Sequence, residues 1–403
     1  MRRLELYFDL VCPYAYMGFH RGRAFAAEHG LELVCTPVLL GGIFKARQSP
    51  QVPMTTWSQA RQLRLDEDLQ DQAGSLGLPL NPPAGHPVKS LQAQRLILCA
   101  APEQREDLIE RLYAAYWQQG QDIAQPAVLA PIAQAFGLSL EQTEQPAIKQ
   151  ALRENTERAL ERGVFGVPAF FLDGHDKLIW GQDRLFLLQQ FLAGGSQFRF
   201  APATQKPREV RTLRWYYDFS SPFAYLSSLR ISELASAAEV RLEPVPILLG
   251  ALFKSIGTPM IPLQTFPQAK QAWALQDLHD WAAWWGGGFR FTSHFPVHTV
   301  AALRVAIQEP QAIAPLFQAV WVDDLNVGDA EVLERVLTDA GFDAKALLAG
   351  TQDPAVKAVL RENTARAQAL GVPGVPTFEL PDGRLIWGQD RMDRVLHHLG
   401  CRD

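Results

Sequence analysis

Two short stretches of the chain place a nucleophilic or hydrogen-bonding side chain directly before a proline. They read YFDLVCPYAYMG (residues 7–18) and YYDFSSPFAYLS (residues 216–227), so Cys12 and Ser221 take the same place. A strand-like run precedes each of them, and the proline suits the first turn of a helix. The first N–H groups of a helix are unpaired and carry partial positive charge. We therefore expect Cys12 to be stabilised as a thiolate and the Ser221 hydroxyl to donate to a thiolate. An ordinary helix N-cap is the alternative for both residues.

A second thiol is missing from the Cys12 segment, because Ala15 stands where a C-x-x-C motif would have its other cysteine. The remaining cysteines are Cys35, Cys99 and Cys401, and four in a chain of 403 residues make no disulfide framework. Cys35 and Cys99 lie in apolar runs, so we expect both to be buried.

A Gly-Val-Pro sequence opens a β-type run in both halves, at Val167-Pro168 and Val375-Pro376. A cis bond here would turn the valine carbonyl and amide outward beside the start of the first helix. A peptide-like ligand could then pair with that backbone as an extra strand. A trans proline that merely begins the strand is the alternative.

Paired charges follow in the W-G-Q-D-R motifs, as Asp183-Arg184 and Asp390-Arg391. The aspartate could hold an ammonium group, while the arginine forms a salt bridge or meets a carboxylate. In the alternative, the aspartate caps the last helix and the arginine is solvated.

A cation stands seven residues before an aspartate in the middle of each half, as Arg61 before Asp68 and Lys270 before Asp277. It is either a ligand-binding cation or part of a solvated helix face.

The histidines predict no metal site. His294 and His298 are four residues apart, but Pro296 breaks the helix that would align them and no third ligand is near. Glycine-rich phosphate loops and the G-x-S-x-G motif are also missing from the sequence.

The composition suits a globular protein of two or three domains, with 47% hydrophobic residues and 20% charged residues. A net charge of −5 disfavours nucleic acid as a partner. An apolar run of roughly 20 residues, as a membrane span needs, is absent from the sequence. The N-terminus, which carries Glu5 and Asp9, lacks the apolar core of a signal peptide. We therefore expect a cytoplasmic location.

The sequence indicates two tandem repeats of one domain. Cys12 and Ser221 are offset by 221 − 12 = 209, and PVLLGGIFK (37–45) matches PILLGALFK (246–254) at the same offset. Later matches are LRENTERALERGVFGVPAFF (152–171) with LRENTARAQALGVPGVPTFE (360–379) and KLIWGQDRL (177–185) with RLIWGQDRM (384–392). We predict a first repeat over 1–194, a Gly/Pro/Ser/Lys-rich linker over 195–210 and a second repeat over 211–403.

Each repeat shows the same pattern of elements. A strand, a helix and a second strand open it, and about 110 residues of mostly helical pattern follow. Two strands and a helix close it. The order β-α-β, helical insert, β-β-α predicts an α/β chain of two tandem thioredoxin-like domains, each with a long helical insertion.

The motifs of the second repeat resemble those of the kappa-class glutathione transferases and the 2-hydroxychromene-2-carboxylate isomerases, within the DsbA-like thioredoxin superfamily. The motifs that carry the resemblance are D-x-x-S-P-F-A-Y from Asp218 to Tyr225, PILLGALFK, the spacing of Pro267, Lys270 and Asp277, SHFPVHTVAALR, GVPGVPTFEL and WGQDR.

The resemblance implies a glutathione-dependent isomerase or transferase that acts on an aromatic, electrophilic small molecule. Ser221 would hydrogen-bond the sulfur of glutathione. Val375, before a cis Pro376, would pair with the backbone of the tripeptide.

The two ends of glutathione would be held by charged residues. The resemblance implies that Asp390, with Arg391 beside it, grips the γ-glutamyl end, and that Lys270 meets the glycine carboxylate. Thr258 stands where the transferases have an asparagine, so the resemblance gives that contact less support.

The first repeat departs further from this pattern, and DLVCPYAYMG also resembles DsbA-family oxidoreductases of the C-P-W-C type with the second cysteine lost. Two alternative functions follow: a thiol-disulfide oxidoreductase that uses Cys12 as monothiol glutaredoxins do, or a non-catalytic glutathione-binding scaffold. The residues of the first repeat that correspond to the implied site are Cys12, Arg61, Val167, Pro168, Asp183 and Arg184.

The family's members are typically homodimers. Because a tandem chain contains both halves, we expect the two repeats to pack as an internal pseudo-dimer and the chain to be monomeric.

Overall fold

The computed structural model describes residues 1–52, 57–192, 200 and 211–400. Cys401 and the predicted linker 195–210, apart from Phe200, lie outside the described residues, so the domain boundaries at 194 and 211 stay a prediction. The chain divides into two compact units. Of the described residues, the first unit contains 1–52, 66–192 and 266–273, and the second contains 57–65, 200, 211–265 and 274–400. Each unit thus includes a short segment of the other repeat.

The first repeat forms four strands, a helical insert and a closing helix. Its strands are β1 (Arg3–Phe8), β2 (Glu32–Pro37), β3 (Ala169–Leu172) and β4 (Ile179–Trp180). Its helices are α1 (Pro13–Glu28), α2 (Leu40–Ala46), α3 (Gln59–Ser75), α4 (Leu91–Cys99), α5 (Pro102–Tyr113), α6 (Pro126–Ala135), α7 (Pro146–Glu161) and α8 (Gln189–Leu192). Shorter turns are 3-10 at Leu140–Glu144 and Leu185–Leu188, and π-helical at Ala114–Gln118.

The second repeat forms the same succession. Its strands are β5 (Arg211–Tyr217), β6 (Val240–Pro246), β7 (Thr377–Glu379) and β8 (Leu385–Trp387). Its helices are α9 (Pro222–Ser228), α10 (Ile231–Ala237), α11 (Leu249–Ile256), α12 (Gln268–Trp284), α13 (Val300–Gln308), α14 (Ile313–Trp321), α15 (Ala330–Asp339), α16 (Ala344–Gly350), α17 (Pro354–Ala369) and α18 (Met392–His398). Shorter 3-10 turns are at Pro262–Thr265, Pro310–Ala312 and Gln389–Arg391.

Each repeat builds one four-stranded sheet, in the orders β2-β1-β3-β4 and β6-β5-β7-β8. The first two strands of a repeat pair in parallel, and the last two join as antiparallel neighbours. The central strand β1 or β5 runs towards Cys12 or Ser221, so the cap residue lies at the carboxyl end of the sheet's middle. The predicted thioredoxin-like fold with a helical insert is confirmed in both repeats.

The first helix differs between the repeats. Helix α1 is continuous, whereas its counterpart ends at Ser228 and resumes as α10. Ser227 donates to the Ala224 carbonyl at 2.8 Å and Ser228 to the Tyr225 carbonyl at 2.6 Å. Hydroxyls that bind the preceding turn compete with the helical ladder, which accounts for the break.

The core beneath each first strand contains one tyrosine and one phenylalanine with their positions exchanged. Phe8 of β1 faces Tyr113, with ring centres 6.2 Å apart. Tyr217 of β5 faces Phe317 at 5.9 Å. Both tyrosine hydroxyls are fully buried, and neither has a hydrogen-bond partner among the described residues.

Candidate functional site

The cap residue of each repeat meets the Val-Pro loop that precedes the third strand. The Ser221 hydroxyl donates to the Val375 carbonyl oxygen at 3.1 Å and accepts from the Ala224 amide at 3.2 Å. The Cys12 thiol donates to the Val167 carbonyl oxygen at 3.3 Å and makes no capping hydrogen bond. Both cap residues are buried, and both have extended backbones.

Both Val-Pro peptide bonds are cis, which decides between the two readings of this motif. The Pro168 and Pro376 carbonyls accept hydrogen bonds of 3.0 Å from the amides of Gly181 and Gly388, so each loop is anchored to the glycine directly after β4 or β8. The amide N–H groups of Val167 and Val375 find no hydrogen-bond partner among the described residues. This backbone is therefore available to pair with a peptide-like ligand.

Cys12 departs from the expected thiolate. Burial raises the pKa of the Cys12 thiol to about 12, and the charge of Asp9 adds to this. The nearby backbone N–H groups of Ala15 and Tyr14 lower this pKa, but burial outweighs them. The expectation failed because it counted the start of the helix and not the loss of solvent around the sulfur.

A buried aspartate, for which the sequence suggested no role, holds the turn before each cap residue. Asp218 accepts from the Leu249 amide at 2.8 Å, the Ser220 amide at 3.0 Å and the Thr299 hydroxyl at 2.6 Å. Burial raises the pKa of Asp218, and the hydrogen bonds that it accepts oppose this. The signal that could have revealed it is the aspartate three residues before Cys12 and Ser221 in both repeats.

The Asp9 turn of the first repeat is tied in the same way. Asp9 accepts from the Leu40 amide at 2.9 Å and from the Val11 amide at 3.4 Å. Burial raises the pKa of Asp9, and hydrogen bonds from the Leu40 backbone and the Ser90 side chain oppose this.

A tryptophan from the helical insert fixes the same turn from the other side. The indole N–H of Trp321 donates to the Phe219 carbonyl at 2.8 Å, and that of Trp117 donates to the Leu10 carbonyl at 2.9 Å. Both indoles are buried. Each cap residue is thus positioned by one carboxylate and one indole.

The two Asp-Arg pairs form salt bridges within themselves. Asp183 lies 2.7 Å from Arg184, and Asp390 lies 3.3 Å from Arg391. The arginines are nearly buried, with side chains 12% and 11% exposed. The alternative of a solvated arginine is therefore wrong, and the interpretation as a salt bridge holds.

The insert cations are exchanged between the repeats. Lys270 lies in the first unit, with its ammonium 5.0 Å from the ring centre of Trp180 and 4.2 Å from that of Phe266. Arg61 lies in the second unit, with its guanidinium carbon 4.3 Å from Trp57 and 5.6 Å from the ring centre of Trp387. The sequence had grouped Lys270 with Ser221, because it took each repeat as self-contained.

The aromatic surroundings of the two cations also differ. Trp180 packs on Trp273 at 4.9 Å and on Phe165 at 4.8 Å between ring centres. The second repeat has Pro373 in place of Phe165, and the first has Arg64 in place of Trp273. The cluster around Lys270 therefore contains more aromatic rings.

Thr258 belongs to the second unit. It follows the left-handed Gly257 that ends α11, and its amide donates to the Phe253 carbonyl at 2.9 Å. Its side chain is partly exposed.

The structure also describes two further cysteines, groups of metal-binding side chains and the character of the helices. Cys35 and Cys99 are free thiols in residues of intermediate exposure. Burial nevertheless raises the pKa of both thiols, so the prediction that they are buried is met in part. No group of three His, Cys, Asp or Glu side chains able to hold a metal is found among the described residues. In the same part of the chain, none of the helices has the length and apolar character to cross a membrane.

Comparison with known proteins places these features in a family. The sequence model of the DSBA-like thioredoxin domain matches residues 3–193 and again residues 212–400. Glutathione S-transferase kappa 1 of Homo sapiens is 28% identical over 208 residues, which cover 47% of this chain and 91% of that protein. The 2-hydroxychromene-2-carboxylate isomerase of Sphingobium xenophagum is 28% identical over 195 residues, covering 47% of this chain and 98% of that protein.

A solved structure of a 2-hydroxychromene-2-carboxylate isomerase is 26% identical, with a TM-score of 0.40, and covers 47% of this chain and 93% of that chain. The two matched segments of the DSBA-like model take in nearly the whole chain and coincide with the two sheets. The chain therefore belongs to the DSBA-like thioredoxin domain family, and it carries two copies of that domain.

Proposed function

We propose that this chain is a glutathione-dependent isomerase or transferase that acts on an aromatic, electrophilic small molecule. The observation that carries the proposal is the 3.1 Å contact between the Ser221 hydroxyl and the Val375 carbonyl. It puts a hydroxyl donor beside backbone that can pair with a peptide. The relatives named glutathione S-transferase kappa 1 and 2-hydroxychromene-2-carboxylate isomerase support the cosubstrate and the reaction class.

The residues of the second unit complement the four chemical features of glutathione. The Ser221 hydroxyl suits the thiol, and the backbone of Val375 suits the peptide groups. Asp390, oriented by Arg391, suits the ammonium of the γ-glutamyl end. Arg61, which lies over Trp387, suits the glycine carboxylate in the role that the sequence had given to Lys270.

Bound glutathione would supply a nucleophilic thiolate, which adds reversibly to a conjugated carbonyl compound. The chain's part is to favour the charged form of the sulfur. The Ser221 hydroxyl turns its proton from the Val375 carbonyl to the sulfur, while its oxygen keeps the hydrogen bond from Ala224. A hydrogen bond to the charged form lowers the pKa of the thiol. Asp218 and Trp321 hold the turn, so little reorganisation is needed.

The first unit presents the same arrangement with a weaker donor. The Cys12 thiol points to the Val167 carbonyl, and a thiol donates less strongly than a hydroxyl. We propose that Cys12 donates to the sulfur of glutathione rather than bonding to it. The raised pKa of Cys12 disfavours the monothiol redox alternative, since the thiolate is the nucleophile.

The test is a titration of the thiol of bound glutathione, followed by the ultraviolet absorbance of the thiolate. Ser221→Ala should raise the pKa of that thiol by about one to two units, because a charge-assisted hydrogen bond is lost. Ser228→Ala is the matched control, since that hydroxyl only binds the Tyr225 carbonyl of its own helix. If Ser221→Ala leaves the thiol pKa and turnover unchanged, the proposal fails. Tight binding without turnover over a panel of electrophiles would favour the scaffold alternative.

We also propose that the chain works as a monomer of 44.9 kDa. Each relative corresponds to one copy of the domain, whereas this chain contains two copies. Light scattering at micromolar concentration should give the mass of one chain. A mass of twice that value would contradict the proposal.

A further inference from the structure

The second unit has an aromatic wall beside the turn that carries Ser221. The loop residue Phe295 lies 6.3 Å from Trp321 between ring centres, and the Trp321 indole is bonded to the Phe219 carbonyl. Two residues after Phe295, the Val297 amide donates to the Ser220 hydroxyl at 3.2 Å. The Phe295 loop is therefore attached directly to the residue before Ser221.

One further ring, that of Phe291, extends this wall. Phe291 lies 5.2 Å from Phe295 and 5.6 Å from Trp321 between ring centres, and both phenylalanines keep part of their surface exposed. Phe223, two residues after Ser221, is 40% exposed. Exposed aromatic side chains beside a reactive position offer faces on which another ring can stack.

The first unit has a polar side chain at the same place. His86 takes the place of Phe295, and its ring lies 5.2 Å from Trp117, the counterpart of Trp321. The Nδ1 atom of His86 is 2.7 Å from the Tyr116 hydroxyl, which also accepts from the Val88 amide at 3.4 Å. Pro82 takes the place of Phe291. The wall of the first unit is therefore smaller and able to hydrogen-bond.

The protonation states of His86 and Tyr116 allow this wall to hydrogen-bond a ligand. Burial lowers the pKa of His86, so the imidazole is neutral at pH 7. Burial also raises the pKa of the Tyr116 hydroxyl to about 12, so it stays protonated. Because the Tyr116 oxygen accepts from Val88, its proton is free to go to Nδ1 of His86. In the tautomer that accepts this proton at Nδ1, the Nε2 atom of His86 carries a proton and is a donor.

We propose that the residue at this place selects the second substrate of each unit. Phe295 directs the second unit to an apolar aromatic electrophile. His86, oriented by Tyr116, directs the first unit to an electrophile whose ring bears a hydroxyl or carbonyl group. The inference rests on the proposed function, since both units must hold glutathione next to these walls.

The test measures binding, not turnover, by calorimetry of the full chain with glutathione S-conjugates. S-Benzylglutathione carries an apolar ring on its sulfur, S-(4-hydroxybenzyl)glutathione a polar ring, and S-methylglutathione no ring. The Asp183→Ala variant weakens binding at the first site, so that the measured affinity is that of the second site. The Asp390→Ala variant weakens the second site, so that the measured affinity is that of the first. The readout is the affinity for each benzyl ligand relative to S-methylglutathione.

In the Asp183→Ala background, Phe295→His should lower the relative affinity for S-benzylglutathione about three- to tenfold. Phe295→Tyr keeps the ring and should retain most of the preference, and thermal melting of each variant checks its folding. In the Asp390→Ala background, His86→Phe should reverse the preference for the hydroxylated ligand by a similar factor.

The outcomes separate the two proposals. If S-methylglutathione binds but neither exchange at 86 or 295 changes the relative affinities, the selection is refuted and the proposed function stands. If neither glutathione nor S-methylglutathione binds the unmodified chain, the proposed function is refuted and this inference with it.

Discussion

The guanidinium carbon of Arg61 lies 5.6 Å from the ring centre of Trp387, although the two residues belong to different repeats. Lys270 lies 5.0 Å from Trp180 in the reciprocal arrangement. Each W-G-Q-D-R motif therefore has a cation of the other repeat beside its tryptophan.

We expect this exchange to be visible in the kinetics of the Ser221 site. Arg61→Ala should raise the KM for glutathione about tenfold or more, because a carboxylate loses its charged partner. Lys270→Ala should have the smaller effect on the same reaction. The measurement is steady-state turnover, restricted to the part of the activity that is lost in Ser221→Ala. A larger effect from Lys270→Ala would support the sequence-based assignment of the lysine to the Ser221 site.

Cys12 should be a slow nucleophile. With a pKa of about 12, its thiolate is on the order of one molecule in ten thousand at pH 8. Alkylation by iodoacetamide, followed by peptide mass spectrometry, should be slower at Cys12 than at free glutathione and should accelerate with rising pH. Rapid labelling at pH 7, or a mixed disulfide at Cys12 after treatment with glutathione disulfide, would favour the redox alternative.

Trp321 should act on Ser221 through the turn between them. Trp321→Phe keeps a ring but leaves the Phe219 carbonyl without its indole donor. We expect a loss of about 1–3 kcal/mol of stability and a fall in kcat with little change in the KM for glutathione. Trp117→Phe removes the equivalent bond to Leu10 in the first repeat and is the matched control. Equal effects of both variants on the Ser221 reaction would argue against a positioning role.

The sheet of the second repeat should lose stability in acid through Glu379. Its carboxylate, 7% exposed, accepts from Arg366 and Tyr216 at 2.6 Å and from Arg214 at 3.2 Å. Burial raises the pKa of Glu379, but these hydrogen bonds and charges outweigh it, so the pKa lies below its ordinary value. The contribution to stability is complete above the pKa of an unfolded glutamate and disappears as pH falls through the lowered value.

Glu379→Gln should therefore cost about 1–2 kcal/mol at pH 7, because the partly exposed Arg366 and Arg214 lose the carboxylate with which they pair. The cost should shrink as the pH is lowered below 4. Urea unfolding at both pH values measures the difference. Glu243→Gln is the control, since that carboxylate is 41% exposed and its pair with Arg214 is worth about 1 kcal/mol or less. A pH-independent cost of Glu379→Gln would disprove the assignment.

The repeated order of elements made the fold predictable from the sequence. Because Cys12 and Ser221 recur with the same flanking strand and proline, the sequence also indicated which residues to compare. The cis state of Val167-Pro168 and Val375-Pro376 was one of two options and needed coordinates to decide.

The sequence could not predict how much solvent reaches a side chain or which segment packs where. The pKa of Cys12 rises because the sulfur is buried, and burial depends on distant segments. Lys270 lies in the first unit, whereas the sequence grouped it with Ser221, because a sequence offset pairs equivalent residues without saying which unit they join. No role for His86 followed from the sequence, since its partner Tyr116 lies 30 residues further along the chain.

The exchanged tyrosine and phenylalanine beneath the first strands limit how the two domains can be recombined. A chimera with β5 in the place of β1 would set Tyr217 against Tyr113, with two hydroxyls in one apolar space. The reverse graft would set Phe8 against Phe317 and leave a gap the size of one hydroxyl oxygen. The duplicates have thus drifted by compensated changes, and their strands and inserts are no longer interchangeable parts.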